Sequence, residues 1–95
     1  MNPDLVKAQV MNVTPEMATQ WLRSNTANRK PSQAAVKRWA EIMKAHSWKL
    51  CSDAIAFDVN GVLINGQHRL MAVIQANMSQ PFLVAYNFPD GSKEA

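Results

Sequence analysis

Two Asn-Gly pairs stand close together in the sequence. Asn60-Gly61 and Asn65-Gly66 are separated only by Val62-Leu63-Ile64. Asn-Gly flanked by apolar residues is a strong signal for chain reversal. Upstream, "DAIAFD" (53–58) reads as a strand. Asn60-Gly61 then reads as a two-residue hairpin turn and "VLI" as the return strand. Beyond Gly66 the period changes. Leu70, Val73 and Ile74 fall on one side of a helix from Gly66 to Ala76, with Met71 nearby and Asn77 placed to cap its end.

The flanks complete the pattern. Ala8 to Val13 reads as a short edge strand. Thr14-Pro15-Glu16 starts a helix, because Thr caps, Pro fits the first turn and Glu suits the positive end of the dipole. Met17, Ala18, Trp21 and Leu22 recur at helical spacing, and Asn25 ends the run. After the polar loop "NTANRKPS", Ser32 caps a second helix from about Gln33 to His46. Its buried stripe is Val36, Trp39, Ala40 and Met43. The tryptophans follow the apolar faces, which reads as core rather than as a base-stacking platform. "PFLVAYNF" (81–88) is the last strand. The expectation is one compact α+β domain over 1–95, with 1–8 and 89–95 as loose tails.

With 95 residues the chain supports a small core, and 47 % of it is apolar. No apolar run is long enough to span a membrane, and "MNPDLVKAQV" lacks the form of a secretory signal. The single cysteine, Cys51, offers neither a disulfide framework nor a metal cluster, and a cytoplasmic location is expected. The net charge of +3 is unevenly placed. Between Gln20 and Leu50 stand Arg23, Arg29, Lys30, Lys37, Arg38, Lys44 and Lys49 against Glu41 alone. From Cys51 onward acids outnumber bases. Two readings stay open. Arg29, Lys30, Lys37 and Arg38 form a nucleic-acid-binding surface, or they are a solvated helix face.

The seam at 65–69 has two readings as well. Asn65 caps the helix, Gly66 lets the backbone turn closely, and the N–H groups of Gly66, Gln67 and His68 point out of the first turn. Such a terminus favours an anion. Arg69 then grips a phosphate with two hydrogen bonds, helped by Gln67 and His68. Alternatively, Arg69 pairs with Asp58 or Asp53 as a structural ion pair. For catalysis the candidates are Asp53, Asp58 and His68. On a regular strand Asp53 and Asp58 point to opposite faces, which argues against a shared metal. His68 has the chemistry of a base, and His46 suits a helix C-terminus. No nucleophile–base–orienter set and no P-loop is visible, so no catalytic residue and no metal site is assigned.

The stretch "DAIAFDVNGVLINGQHRLMAVIQANMSQPFLVAY" resembles the core of the ParB/sulfiredoxin superfamily. The similarity is closest to a ParB-like subset that reads "DGQHRL" and occurs in phage, plasmid and mobile-element proteins. With "VTPEMATQWLRSNTANRKPSQAAVKRWAEIMKAHSWKL" it covers roughly 10–88. It implies a small mixed sheet with about three helices, and a bacterial host cell. It also implies that Gly66 and Arg69 bind phosphate, with Gln67 and His68 lining the same turn. ParB proteins bind and hydrolyse CTP at this turn, sulfiredoxin uses ATP, and some relatives are described as nucleases. The implied ligands are a nucleoside triphosphate with Mg²⁺, or DNA or RNA. Gln67 stands where sulfiredoxin has its catalytic cysteine, which argues against sulfinic-acid reduction. No helix-turn-helix follows, as DNA-sliding ParB proteins require, and Asn65 replaces the usual aspartate. Three functional classes follow: a phosphate-ligand binding module, an interaction protein that blocks a host nucleic-acid-binding or defence enzyme, and a metal-dependent nuclease or nucleotide hydrolase.

Overall fold

In the computed structural model, which describes residues 5–24 and 30–89, the order is strand, helix, helix, strand, strand, helix, strand. The strands are β1 (Lys7–Val13), β2 (Ile55–Asp58), β3 (Leu63–Asn65) and β4 (Gln80–Phe88). The helices are α1 (Pro15–Leu22), α2 (Gln33–Lys44) and α3 (Gln67–Ala76). The expected α+β class, with three helices on a small mixed sheet, is what the structure has. Asn25 and Arg29 fall outside the described residues, as does the tail from 90.

Local chemistry sets most boundaries. Thr14 Oγ1 accepts from the Met17 N–H at 3.1 Å, and Ser32 Oγ accepts from the Ala35 N–H at 3.2 Å. These caps satisfy first-turn donors that lack intrahelical partners. α2 stops at Lys44, before the expected His46. His46 takes a left-handed φ of 58°, its N–H reaches the Met43 carbonyl, and the Ser47 N–H reaches that of Ile42. Asn77 closes α3 in the same way, with φ of 54°. Both ends thus form the paired 5→2 and 6→1 bonds of a Schellman closure.

The sheet order is β1-β4-β2-β3. β4 pairs antiparallel with β1 and parallel with β2, while β2 and β3 are antiparallel. The parallel step requires a crossover, and α3 supplies it between β3 and β4. All three helices contribute to one core over one face of the sheet. Val13, Ile55, Leu63, Phe82 and Val84 meet Ala18, Ala40, Met43, Leu70 and Val73 there. The alternate register set, including Ala8, Val10 and Leu83, forms the opposite face, and Val10 is 59 % exposed. The tryptophans border the core. Trp21 meets Phe57 edge-on at 5.3 Å, and Trp48 links Trp39 to Phe82. The Trp48 indole N–H also donates to the Pro81 carbonyl at 3.2 Å.

Two expectations change. Ile74 is exposed at 37 %, whereas Ala72 and Ala76 are buried. α3 packs on both α1 and α2, so its buried face includes small residues that allow close approach. The β2–β3 hairpin has a three-residue loop, Val59–Gly61, rather than a two-residue turn. The Asp58 N–H donates to the Val62 carbonyl, and the Gly61 N–H donates to the Asp58 carbonyl, both at 3.0 Å. Only Gly61 (φ 78°) is left-handed in this loop, whereas a type I′ turn needs positive φ at both central residues. Asp58 Oδ1 decides the geometry by accepting from the Asn60 and Val62 N–H groups at 2.8 and 2.9 Å.

Removing this clamp with Asp58→Ala is expected to cost about 2 kcal/mol, because two N–H groups lose an acceptor. Asp58→Asn keeps the acceptor and should retain most of the stability. Urea unfolding of both variants checks the difference.

Candidate functional site

The turn from β3 into α3 is built around Gly66. Its φ is 111°, and a Cβ placed there would lie 2.4 Å from Ile55 Cδ1. An L side chain there is strained by conformation, and the Ile55 side chain would have to move to admit it. Gly66 is also the N-cap of α3, and no side chain caps this helix. The expected cap, Asn65, is elsewhere: its Nδ2 donates to Asp53 Oδ1 and to the Ala54 carbonyl, both at 2.9 Å. Asn65 is still in the extended strand opposite Ala56, which directs its amide across to the 53–54 segment. The first intrahelical bond is Leu70 N–H to the Gly66 carbonyl at 3.0 Å. The Gln67, His68 and Arg69 N–H groups precede it and lack intrahelical acceptors.

Arg69 adopts the ion-pair alternative, with Asp53 rather than Asp58. Its side chain is 9 % exposed, and Nη2 lies 3.3 Å from Asp53 Oδ2. Nη2 also donates to the Ala54 carbonyl at 3.2 Å, and Nη1 to the Asp53 carbonyl and to Cys51 Sγ. The guanidinium thus faces the 51–54 segment. Cys51 is half-buried beside it.

His68 makes the contact that gives the site its form. Its Nε2 accepts the Ser32 N–H at 2.9 Å. Ser32 caps α2 and His68 lies in the first turn of α3, so two helix N-termini meet here. Accepting this bond requires an unprotonated Nε2, since an imidazolium has no acceptor. Lys30, Ser32, Ile64, Asn65, Gly66, Gln67 and His68 line one pocket of about 370 Å³. Lys30, predicted as part of a separate basic surface, therefore joins the turn. Arg69 lines a different cavity with Trp39, Trp48 and Cys51. Lys37 and Arg38 are exposed along α2, and Arg38 lies over the Trp39 ring at 5.7 Å. Arg29, the remaining member of that basic set, lies outside the described residues.

The residues weighed for catalysis are divided. Asp58 is the hairpin clamp, Asp53 holds Arg69 and Asn65, and His68 bonds Ser32. Among the described residues no three His, Cys, Asp or Glu side chains are grouped to hold a metal. Sequence reasoning missed Ser32 as a pocket residue, and no local signal links it to His68. No helix among the described residues is long and apolar enough to cross a membrane. No protein-family model, curated protein or solved structure matches the chain.

Gly66→Ala should destabilise the domain by about 2 kcal/mol or more, through left-handed strain and the contact with Ile55. Arg69→Ala should cost about 3 kcal/mol, since its hydrogen bonds are charge-assisted and partly buried. Each kcal/mol lowers the midpoint of a domain this size by roughly 4–8 °C. Thermal melts of the two variants read both effects.

Proposed function

We propose that this chain is a small binding module that holds a phosphate-bearing ligand, a nucleotide or a nucleic acid, at the turn leading into α3. The observation that carries the reading is the meeting of two helix N-termini beside Lys30. The α3 terminus presents its first-turn backbone N–H groups, and both termini bring the positive end of a peptide dipole. Lys30 adds a full charge at the same pocket, and among the described residues no acidic side chain lines it. A phosphate fits that field, and a cation does not. The "NGQHRL" stretch and its resemblance to ParB-like proteins support the same class of ligand.

In this reading the ligand groups divide the work. The N–H groups of Gln67 and His68 and the Lys30 ammonium face the phosphate. Gly66 permits close approach, because nothing projects from its Cα. Asn65 and Arg69 hold the turn against the 53–54 segment, so Arg69 positions the site from behind. Lys37 and Arg38 extend the positive surface along α2 for a polymeric ligand.

The test is a thermal-shift panel of nucleoside triphosphates, with and without Mg²⁺, and of short single- and double-stranded DNA and RNA. A ligand of the folded state stabilises it by about 2.7 kcal/mol at a concentration a hundredfold above Kd. Lys30→Glu should abolish that shift and leave the unliganded midpoint nearly unchanged, because the side chain is exposed. For a nucleic acid, affinity should fall as salt rises, and losing one cationic contact should lower the slope of log K against log salt by about 0.9. A full panel without a shift, or a shift that Lys30→Glu leaves intact, defeats the assignment.

A further inference from the structure

Another cavity lies elsewhere, between α1 and the sheet. It measures about 500 Å³, within the usual range of small-ligand sites, and Trp21, Phe57 and Tyr86 form its aromatic walls. Met11 and Gln20 add a thioether and an amide. Among the described residues that line it, Asp58 is the one that carries a charge. Asp58 is 5 % exposed. Its Oδ1 accepts the two hairpin N–H groups, while Oδ2 has no hydrogen-bond partner among the described residues. Nor does Asp58 have an ionic partner there, since the ion pair in that region of the sequence joins Arg69 to Asp53. A buried charge without a counter-ion is costly, and a cation that reaches it recovers the difference.

We infer that this groove binds an organic cation, an alkylammonium or guanidinium group, between the aromatic walls and Asp58. The aromatic faces attract a cation through their quadrupoles, and the carboxylate supplies full charge. A neutral ring would use the walls and leave Asp58 unpaired. An anion would meet the carboxylate, and among the described residues no basic side chain in the lining offsets it. The site is distinct from the anion pocket at the α3 turn, and its ligand has the opposite charge. This inference therefore stands whether or not a phosphate binds there.

The test follows the Trp21 indole N–H by NMR during titration with n-butylammonium, methylguanidinium and, as neutral control, n-butanol. Both cations should move the resonance, and butanol should bind about tenfold more weakly or worse, a difference of roughly 1.4 kcal/mol. Asp58→Asn keeps the Oδ1 acceptor for the hairpin and removes the charge, so it should weaken both cations by at least about tenfold. Added sodium chloride should weaken the cations on the wild-type chain and leave butanol unaffected, which tests the charge without any substitution. A short peptide with one lysine, titrated in parallel, separates two sources of the same chemistry. Tighter binding than butylammonium assigns a protein side chain, and equal binding assigns a free amine. Butanol equal to the cations, affinity unchanged in Asp58→Asn, or no movement at saturating cation overturns the inference.

Discussion

Arg69 carries a positive charge into the interior where the sheet hands over to the last helix. Its guanidinium can be buried only because a segment without regular structure, 51–54, turns its carbonyls and the Asp53 carboxylate toward it. Asn65 bonds the same segment from the strand side. Together the two side chains tie the entry of β2 to the exit of β3 and to the first turn of α3. The hairpin, the crossover helix and the pocket at the turn all depend on this tie.

Its second consequence is electrostatic. With the guanidinium facing 51–54, the positive character of the turn comes from backbone and from Lys30. The Ser32 N–H to His68 Nε2 bond places the N-terminus of α2 beside that of α3. A residue more than thirty positions away thereby completes a site that begins as a local turn. Between α1 and the same face of the sheet, Asp58 has a comparable double role, as hairpin clamp and as the one charged residue among the described residues lining an aromatic groove. Lys30 lines the turn pocket and Asp58 lines the groove, so the charged side chains of the two cavities are of opposite sign.

The elements themselves were legible in the sequence. Thr14 and Ser32 announced two helix starts, and Asn77 announced the end of the third. The 3.6-residue period placed Val36, Ala40 and Met43 inside. Each of these signals is a contact between residues a few positions apart, so pattern suffices. The errors have a common origin. Asn65 is chemically a good cap, but a partner across the sheet competes for its amide. Ile74 has the right period for the core, yet the two helices packed on α3 select Ala72 and Ala76 instead. Asn60-Gly61 signals a reversal correctly, but the Asp58 side chain draws the loop to three residues.

The sequence by itself determined the α+β order, the need for glycine at Gly66 as a turn, and the basic character of the first half. Tertiary structure alone decided which acid Arg69 pairs with, that Lys30 and Ser32 join the Gly66–His68 turn, and that Asp58 lines one cavity with Trp21, Phe57 and Tyr86. The physical reason is range. Helix periods, caps and turns are satisfied within one or two turns of chain. A buried charge takes whichever partner the fold brings within hydrogen-bonding distance, and no local pattern names that partner in advance.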